Sequence, residues 1–179
     1  MPIDMKLVIA ETFKDLLRQG NVDKITVKSL IQECHISRQT FYYHFQDITQ
    51  VMSWSIRRET EELLHKSTRQ PNMRAGLRLL VEFTVQQFPM LQKILDSQRR
   101  NQFQVFLTDS IRFYLNGLVE WYHPEIAVNQ LDREIFLDYN ARALTAILLD
   151  YCGRRDLDRD RLAQQLERLL FNQLNGSMS

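Results

Sequence analysis

The chain is poor in the residues that make turn-rich or cross-linked folds. Its 179 residues include five Gly, four Pro and two Cys. So little Gly and Pro disfavours an all-β architecture, whose many strands need frequent turns. Cys34 and Cys152 are too few and too far apart in sequence for a disulfide framework, and read as reduced, partly buried small residues. No apolar run approaches the roughly 18 residues of a membrane span, and the first residues lack a charged-then-apolar leader. A soluble cytoplasmic protein with no membrane partner is expected. Excess charge is lacking too: the formal net charge is +1.

Catalytic patterns are equally scarce. The four histidines, His35, His44, His65 and His123, show no metal-ligand spacing on one helix face. No Gly-rich phosphate loop and no Gly-x-Ser-x-Gly elbow occurs. Cys34 stands beside His35, but adjacent residues at a helix end point about 100° apart, so a thiol–imidazole pair is not expected. No metal, no cofactor and no enzymatic activity are expected.

What the chain does have is helical periodicity, with 44% hydrophobic residues to bury. Apolar residues at 3, 7, 9, 10, 13, 16 and 17 form one stripe, stopped by Gly20 and Asn21. Thr26 is placed to cap a short second helix. Ser37 is placed to cap a third, Arg38 to Phe45, and Asp47 a fourth that runs to about Thr68. The segment Arg69-Gln70-Pro71-Asn72 is the clearest break. Beyond it the spacing predicts helices over Asn72–Phe88, Pro89–Gln98, Gln102–His123, Leu131–Cys152 and Asp158–Leu174, with Pro124 a break and Asn175-Gly176 the last stop. The expected fold is all α, with about nine helices.

The block from Thr26 to Phe45 repays closer reading. Two short helices joined by a turn of three or four residues form the unit that offers its second helix to a major groove. At about 100° per residue, Phe41 and Phe45 point inward, toward a core that Ile36, Leu30 and Phe13 can share. Gln39, Thr40 and Tyr43 point the other way. Gln addresses a base edge in bidentate fashion, and Thr offers a hydroxyl and a methyl. Flanking Arg38, Tyr42 and His44 suit phosphate oxygens, as do the free N–H groups of the helix starts, with the cap residues Thr26 and Ser37 counted in the same set.

Ile25-Thr26-Val27, Ile36-Ser37 and above all Thr40-Phe41-Tyr42-Tyr43-His44-Phe45 resemble the signature of the TetR/AcrR family of transcription regulators. The resemblance covers about residues 3 to 58. It implies a homodimer on a palindromic operator, with a three-helix DNA-binding domain at 1–46. It also implies an effector-binding and dimerisation domain at 47–179. By motif position, Gln39, Thr40 and Tyr43 match base-reading positions, while Lys28, Arg38, Tyr42 and His44 match or adjoin a phosphate-contacting surface. Repression under a small-molecule or partner effector is the expected mode. The alternatives are activation in response to a protein partner, or an interaction protein that keeps the scaffold without binding DNA.

The sequence departs from the pattern in two places. The turn has His35 where Gly is usual, and Gly tolerates positive φ more readily. A Lys is usual near the start of the fourth helix, but here the chain reads Gln46-Asp47-Ile48-Thr49-Gln50. Residues 1–50 hold six Lys and Arg against six Asp and Glu, so a modest, salt-sensitive affinity for DNA is expected.

Farther along, Phe136, Tyr139, Ala143 and Ile147 with Leu162, Leu166 and Leu169 form apolar stripes suited to a four-helix bundle with a second copy. Trp54, Phe83, Phe103, Phe106, Phe113 and Trp121 are the candidate lining of an effector pocket.

Overall fold

A computed structural model of the chain describes residues 4–123 and 129–176, the last six by their backbone alone. Among these residues the regular structure is entirely helical. The α-helices are α1 (Met5–Gln19), α2 (Val27–Glu33), α3 (Arg38–His44), α4 (Ile48–Ser67), α5 (Met73–Leu95), α6 (Arg100–Tyr122), α7 (Gln130–Tyr151) and α8 (Arg159–Gly176). One 3-10 turn, Val22–Lys24, precedes α2. Ile3 and Pro124, expected at helix ends, lie outside the described residues, as does the Leu174 side chain. α8 ends at Gly176, within the expected stop Asn175-Gly176.

The caps are where the short polar residues placed them. The Thr26 hydroxyl accepts from Ser29 N–H at 3.1 Å, and Ser29 Oγ returns the favour to Thr26 N–H at 2.9 Å, a reciprocal capping box. Ser37 Oγ accepts from Thr40 N–H at 2.9 Å, and Asp47 Oδ1 from Gln50 N–H at 2.8 Å. Asp4 Oδ1 starts α1 by accepting from Lys6 N–H at 3.1 Å.

The described residues form eight α-helices where about nine were expected, and Pro89 is the reason. The sequence pattern makes it a helix boundary, yet α5 runs through it unbroken. An interior proline costs roughly 3 kcal/mol, because it lacks the N–H that the carbonyl four residues back requires. Leu91 and Ile94 on its C-terminal side are buried, and burial of each such side chain contributes about 1.5–3 kcal/mol. Packing therefore outweighs the local penalty.

The helices compose two compact units: Met1–Arg58 with Pro89–Phe106, and Glu59–Phe88 with Leu107–Ser179. In the first, Ile9, Phe13, Leu17, Leu30, Phe41, Phe45 and Phe103 are all but inaccessible to solvent. The end of α5 and the start of α6 are tied to the α1–α2 connection by polar bonds. Lys93 Nζ donates to the Leu17 and Arg18 carbonyls at 3.2 and 2.6 Å, satisfying orphan acceptors at the end of α1. The Asp23 carboxylate accepts from Gln98 N–H at 3.2 Å, and Arg99 reaches the Ile25 carbonyl at 3.4 Å.

The second unit closes around Tyr114, which is fully buried with Leu77, Leu115, Leu118, Leu144, Leu148, Leu166 and Leu170. Its hydroxyl donates within a cluster formed by Gly76 O and Ser67 Oγ, each 2.8 Å away. Tyr122 donates to the Ser67 and Gln70 carbonyls at 2.7 and 2.8 Å. The unpaired carbonyls ending α4 thereby find donors on α6. Gly117 lets α4 and α6 approach closely, since a Cβ there would collide with the Leu64 side chain.

Tyr114→Phe should lower stability by about 1–3 kcal/mol, because it deletes only the hydroxyl oxygen but leaves Ser67 and Gly76 partly unsatisfied in a dry core. Urea unfolding followed by circular dichroism reads this directly. A midpoint unchanged from the parent protein would mean that water replaces the hydroxyl.

Candidate nucleic-acid interface

α3 has seven residues, too few to persist alone in water, where isolated helices shorter than about 12 residues are marginal. Tertiary contacts hold it. Phe41 and Phe45 are buried with ring centroids 6.3 Å apart, and Phe45 meets the edge of Trp54 at 5.9 Å. The outward face carries Gln39, exposed, Thr40, half-buried, and Tyr43, 83% exposed. A tyrosine so exposed buries little apolar surface in the fold. The three expected base-reading residues thus share one face.

The candidate phosphate set flanks them. Lys28, Arg38 and Tyr42 are exposed, and His44 is half-buried. The Arg38 guanidinium lies 5.3 Å over the Tyr42 ring, which restrains a long side chain before any ligand arrives. The Tyr43 and His44 rings meet edge-on at 4.9 Å. Thr26 and Ser37 are exposed, but their oxygens serve first as helix caps. Ser37 Oγ also bonds Thr40 Oγ1 at 2.8 Å, so the Thr40 hydroxyl is held against the cap. The group that Thr40 has most freely available for a base is its methyl.

The turn before α3 is a Schellman motif. His35 N–H donates to Gln32 O and Ile36 N–H to Ile31 O, each at 3.2 Å. That motif requires a left-handed residue after Cys34, and His35 takes it with φ 53°. It is the only non-glycine residue with positive φ among the described residues. The departure at this turn is therefore one of residue type, with the backbone conformation retained.

Charge is partitioned more unevenly than the overall +1 suggests. The first compact unit holds eleven Lys and Arg against seven Asp and Glu, a formal +4, and the second holds twelve against fifteen, −3. Within residues 1–50, Asp4, Asp23 and Asp47 sit on backbone N–H groups at or near helix starts, where the positive dipole end offsets them. Glu11 and Asp15 pair with Lys14 and Arg18. Lys6, Lys24, Lys28 and Arg38 have no carboxylate partner among the described residues.

No thiol chemistry competes with this reading. Burial pushes the Cys34 thiol above its ordinary value and Cys152 up to about 11, so both stay protonated at neutral pH. Among the described residues no group of three or more His, Cys, Asp or Glu is placed to hold a metal ion, and no helix is long and apolar enough to cross a membrane.

The six aromatic residues expected to line a pocket are divided between the two compact units. Trp54, Phe103 and Phe106 belong to the first unit, and Phe83, Phe113 and Trp121 to the second. Phe103 is fully buried as core, and Trp121 is 62% exposed on the surface. An aromatic stripe at helical spacing was core on one side and surface on the other. In the second unit a polar cleft of about 650 Å³ lies instead between the starts of α5 and α8, lined by Asn72, Arg74, Arg78, Asp158, Asp160 and Arg161 among others.

α7 is apolar on two opposite faces. Leu137, Ala141, Leu144 and Leu148 line the unit's own core, while Leu131, Ile135 and Tyr139, spaced four apart, stand exposed. Of the expected dimer residues, Tyr139 and Leu169 are exposed and Phe136, Ala143, Ile147 and Leu162 half-buried. Leu166 is the correction: at 1% exposure it is committed to the subunit's own core. Leu131, in the first turn of α7 and outside the expected set, is exposed as well.

Among solved structures, the fold is that of TetR-family regulators. A regulator of that family from Streptomyces coelicolor matches with a TM-score of 0.61 at 14% identity, covering 96% of this chain and 83% of that one. The TetR-family repressor FadR of Thermus thermophilus, solved with lauroyl-CoA, matches with a TM-score of 0.61 at 20% identity, covering 93% of each chain. A particular relative emerges at the level of sequence. The DhaS transcriptional activator of the dhaKLM operon of Lactococcus lactis subsp. lactis (strain IL1403) is 26% identical over 172 residues, 93% of this chain and 89% of that protein. A structure of the dihydroxyacetone kinase operon activator DhaS matches with a TM-score of 0.67 at 25% identity, covering 97% of this chain and 98% of that one. No family model matches the chain. These relatives are transcription regulators and not enzymes, in keeping with the resemblance carried by residues 40–45.

The αL conformation at His35 gives a test of the turn. His35→Val should cost about 1–2 kcal/mol, since a β-branched residue is strained at positive φ, whereas His35→Gly should be at least as stable as the parent protein. Thermal melting that ranks Val equal to His would show that the turn relaxes out of the left-handed region.

Proposed function

We propose that the chain is a homodimeric, sequence-specific DNA-binding transcription regulator of the cytoplasm. Residues 1–46 read a palindromic operator, and residues 47–179 serve dimerisation and effector response. The observation that carries the reading is the two-sided α3, with Phe41 and Phe45 sealed inside and Gln39, Thr40 and Tyr43 outside. Gln39 and Tyr43 supply hydrogen bonds to base edges, and Thr40 a methyl contact. Lys28, Arg38, Tyr42 and His44, with the backbone N–H groups behind Thr26 and Ser37, fix the register on phosphate.

Repression by operator occupancy is one mode. Activation is the second reading, favoured by likeness to an operon activator along nearly the whole chain. The effector is a small molecule or a protein partner.

Fluorescence anisotropy with duplexes from the region upstream of the protein's own gene tests the reading. Tyr43→Ala should weaken binding to the best duplex by about 1–3 kcal/mol while leaving mixed-sequence DNA nearly unaffected. Lys28→Ala should weaken both alike. A parent protein that binds no upstream duplex at low salt would instead favour an interaction protein that retains the scaffold.

A second copy of the chain is the proposed occupant of the outer α7 face, where Ile135 and Tyr139 stand exposed, with the exposed Leu169 of α8 a further proposed contact. Light scattering at micromolar concentration should give a dimer for the parent protein and a monomer for Ile135→Glu/Tyr139→Glu. A double variant that remains dimeric would place the interface elsewhere.

A further inference from the structure

The cation at the far end of the reading helix comes from α1. Seven residues rise about 10 Å, and the major groove is about 12 Å wide, so a helix of this length lying across it brings both ends to phosphate walls. The two ends are not electrostatically alike. At the start of α3, free N–H groups and Arg38 attract phosphate. At its end, unpaired carbonyls and the negative dipole end repel it, and the start of α4 is already occupied by the Asp47 carboxylate, which accepts from Gln50 N–H. A phosphate there needs a cation.

α4 offers none in its first turn. Gln50 is turned back onto Gln46 N–H at 2.6 Å, and Ile48 is buried. Lys6 lies where the cation is needed: its ammonium stands 5.7 Å from the centroid of the Phe45 ring, the residue that ends α3. Lys6 is half-buried and has no carboxylate partner among the described residues. The ring face holds the ammonium through its quadrupole without neutralising it.

We propose that Lys6 is a DNA phosphate contact at the C-terminal end of α3, doing from α1 what a lysine at the start of α4 would do. The inference rests on the DNA-binding reading above. It adds to that reading a residue that motif position does not point to, since Lys6 lies some thirty residues before the helix-turn-helix turn.

The test is the salt dependence of binding to a mixed-sequence duplex of about 30 base pairs and to the upstream duplex, measured by anisotropy between 50 and 200 mM salt. Each phosphate neutralised contributes about 0.9 to the slope of log affinity against log salt. Lys6→Gln should flatten that slope by about 0.9 on both duplexes, so that salt weakens binding about three- to four-fold less across the range. Specificity, the ratio between the two duplexes, should not move. Lys6→Gln/Gln46→Lys should restore the slope, because it returns an ammonium to the same end of α3. Lys14→Gln removes the same charge from a lysine paired with Glu11 and should leave the slope unchanged. Melting temperatures of all variants establish that the fold persists.

An unchanged slope for Lys6→Gln in a protein that binds DNA would overturn the contact. An equal flattening in Lys14→Gln would also overturn it, by reducing the effect to net charge. A parent protein with no salt-dependent binding to either duplex would overturn the DNA-binding reading itself, and the contact with it.

Discussion

Everything proposed for the N-terminal part depends on a helix that could not exist alone. α3 is two turns long, and its helicity is maintained by Phe41 and Phe45 beneath it and by the Ser37 cap before it. Because the inner face is fully committed to the core, the outer face is free to carry Gln39 and Tyr43 at no structural cost. The same commitment explains the precision of the turn. Phe41 reaches the core only if the chain reverses sharply after α2, and the Schellman bonds at His35 and Ile36 make that reversal. The unfavourable φ at His35 is the local cost of the global fit.

Electrostatics in this unit follows from where the carboxylates are placed rather than from their number. Equal counts of acidic and basic residues in the first fifty positions suggested a surface indifferent to polyanions. In the folded unit, however, three aspartates cap backbone N–H groups and two further acids lie in ion pairs, leaving four cations without carboxylate partners. The second unit carries the compensating negative charge. A net charge near zero is thus compatible with a basic reading unit, and long-range steering by the whole molecule is weak.

In the second unit a buried hydroxyl cluster and a two-faced helix set different constraints. Tyr114 and Tyr122 close the open end of α4 with side-chain donors, which fixes three helices around Ser67 and Gly76. α7 has more apolar surface than one core can use. The surplus lies on the outer side, where Leu131, Ile135 and Tyr139 are exposed.

The sequence by itself determined the helical class, the caps at Thr26, Ser37 and Asp47, and the inside and outside of α3. Those features are local: a cap acts over three residues and a helix face repeats every three or four, so neighbours in sequence suffice to place them. Tertiary structure decided what depends on distant residues. It carried α5 through Pro89, because buried Leu91 and Ile94 outweigh a missing hydrogen bond. It sent Phe103 to the core and Trp121 to the surface, though both lie on one helix, and it committed Leu166 to its own subunit. It also set Lys6 against Phe45, thirty-nine positions away. No local pattern encodes that pairing, because only the folding of α1 against the end of α3 brings the ammonium and the ring together.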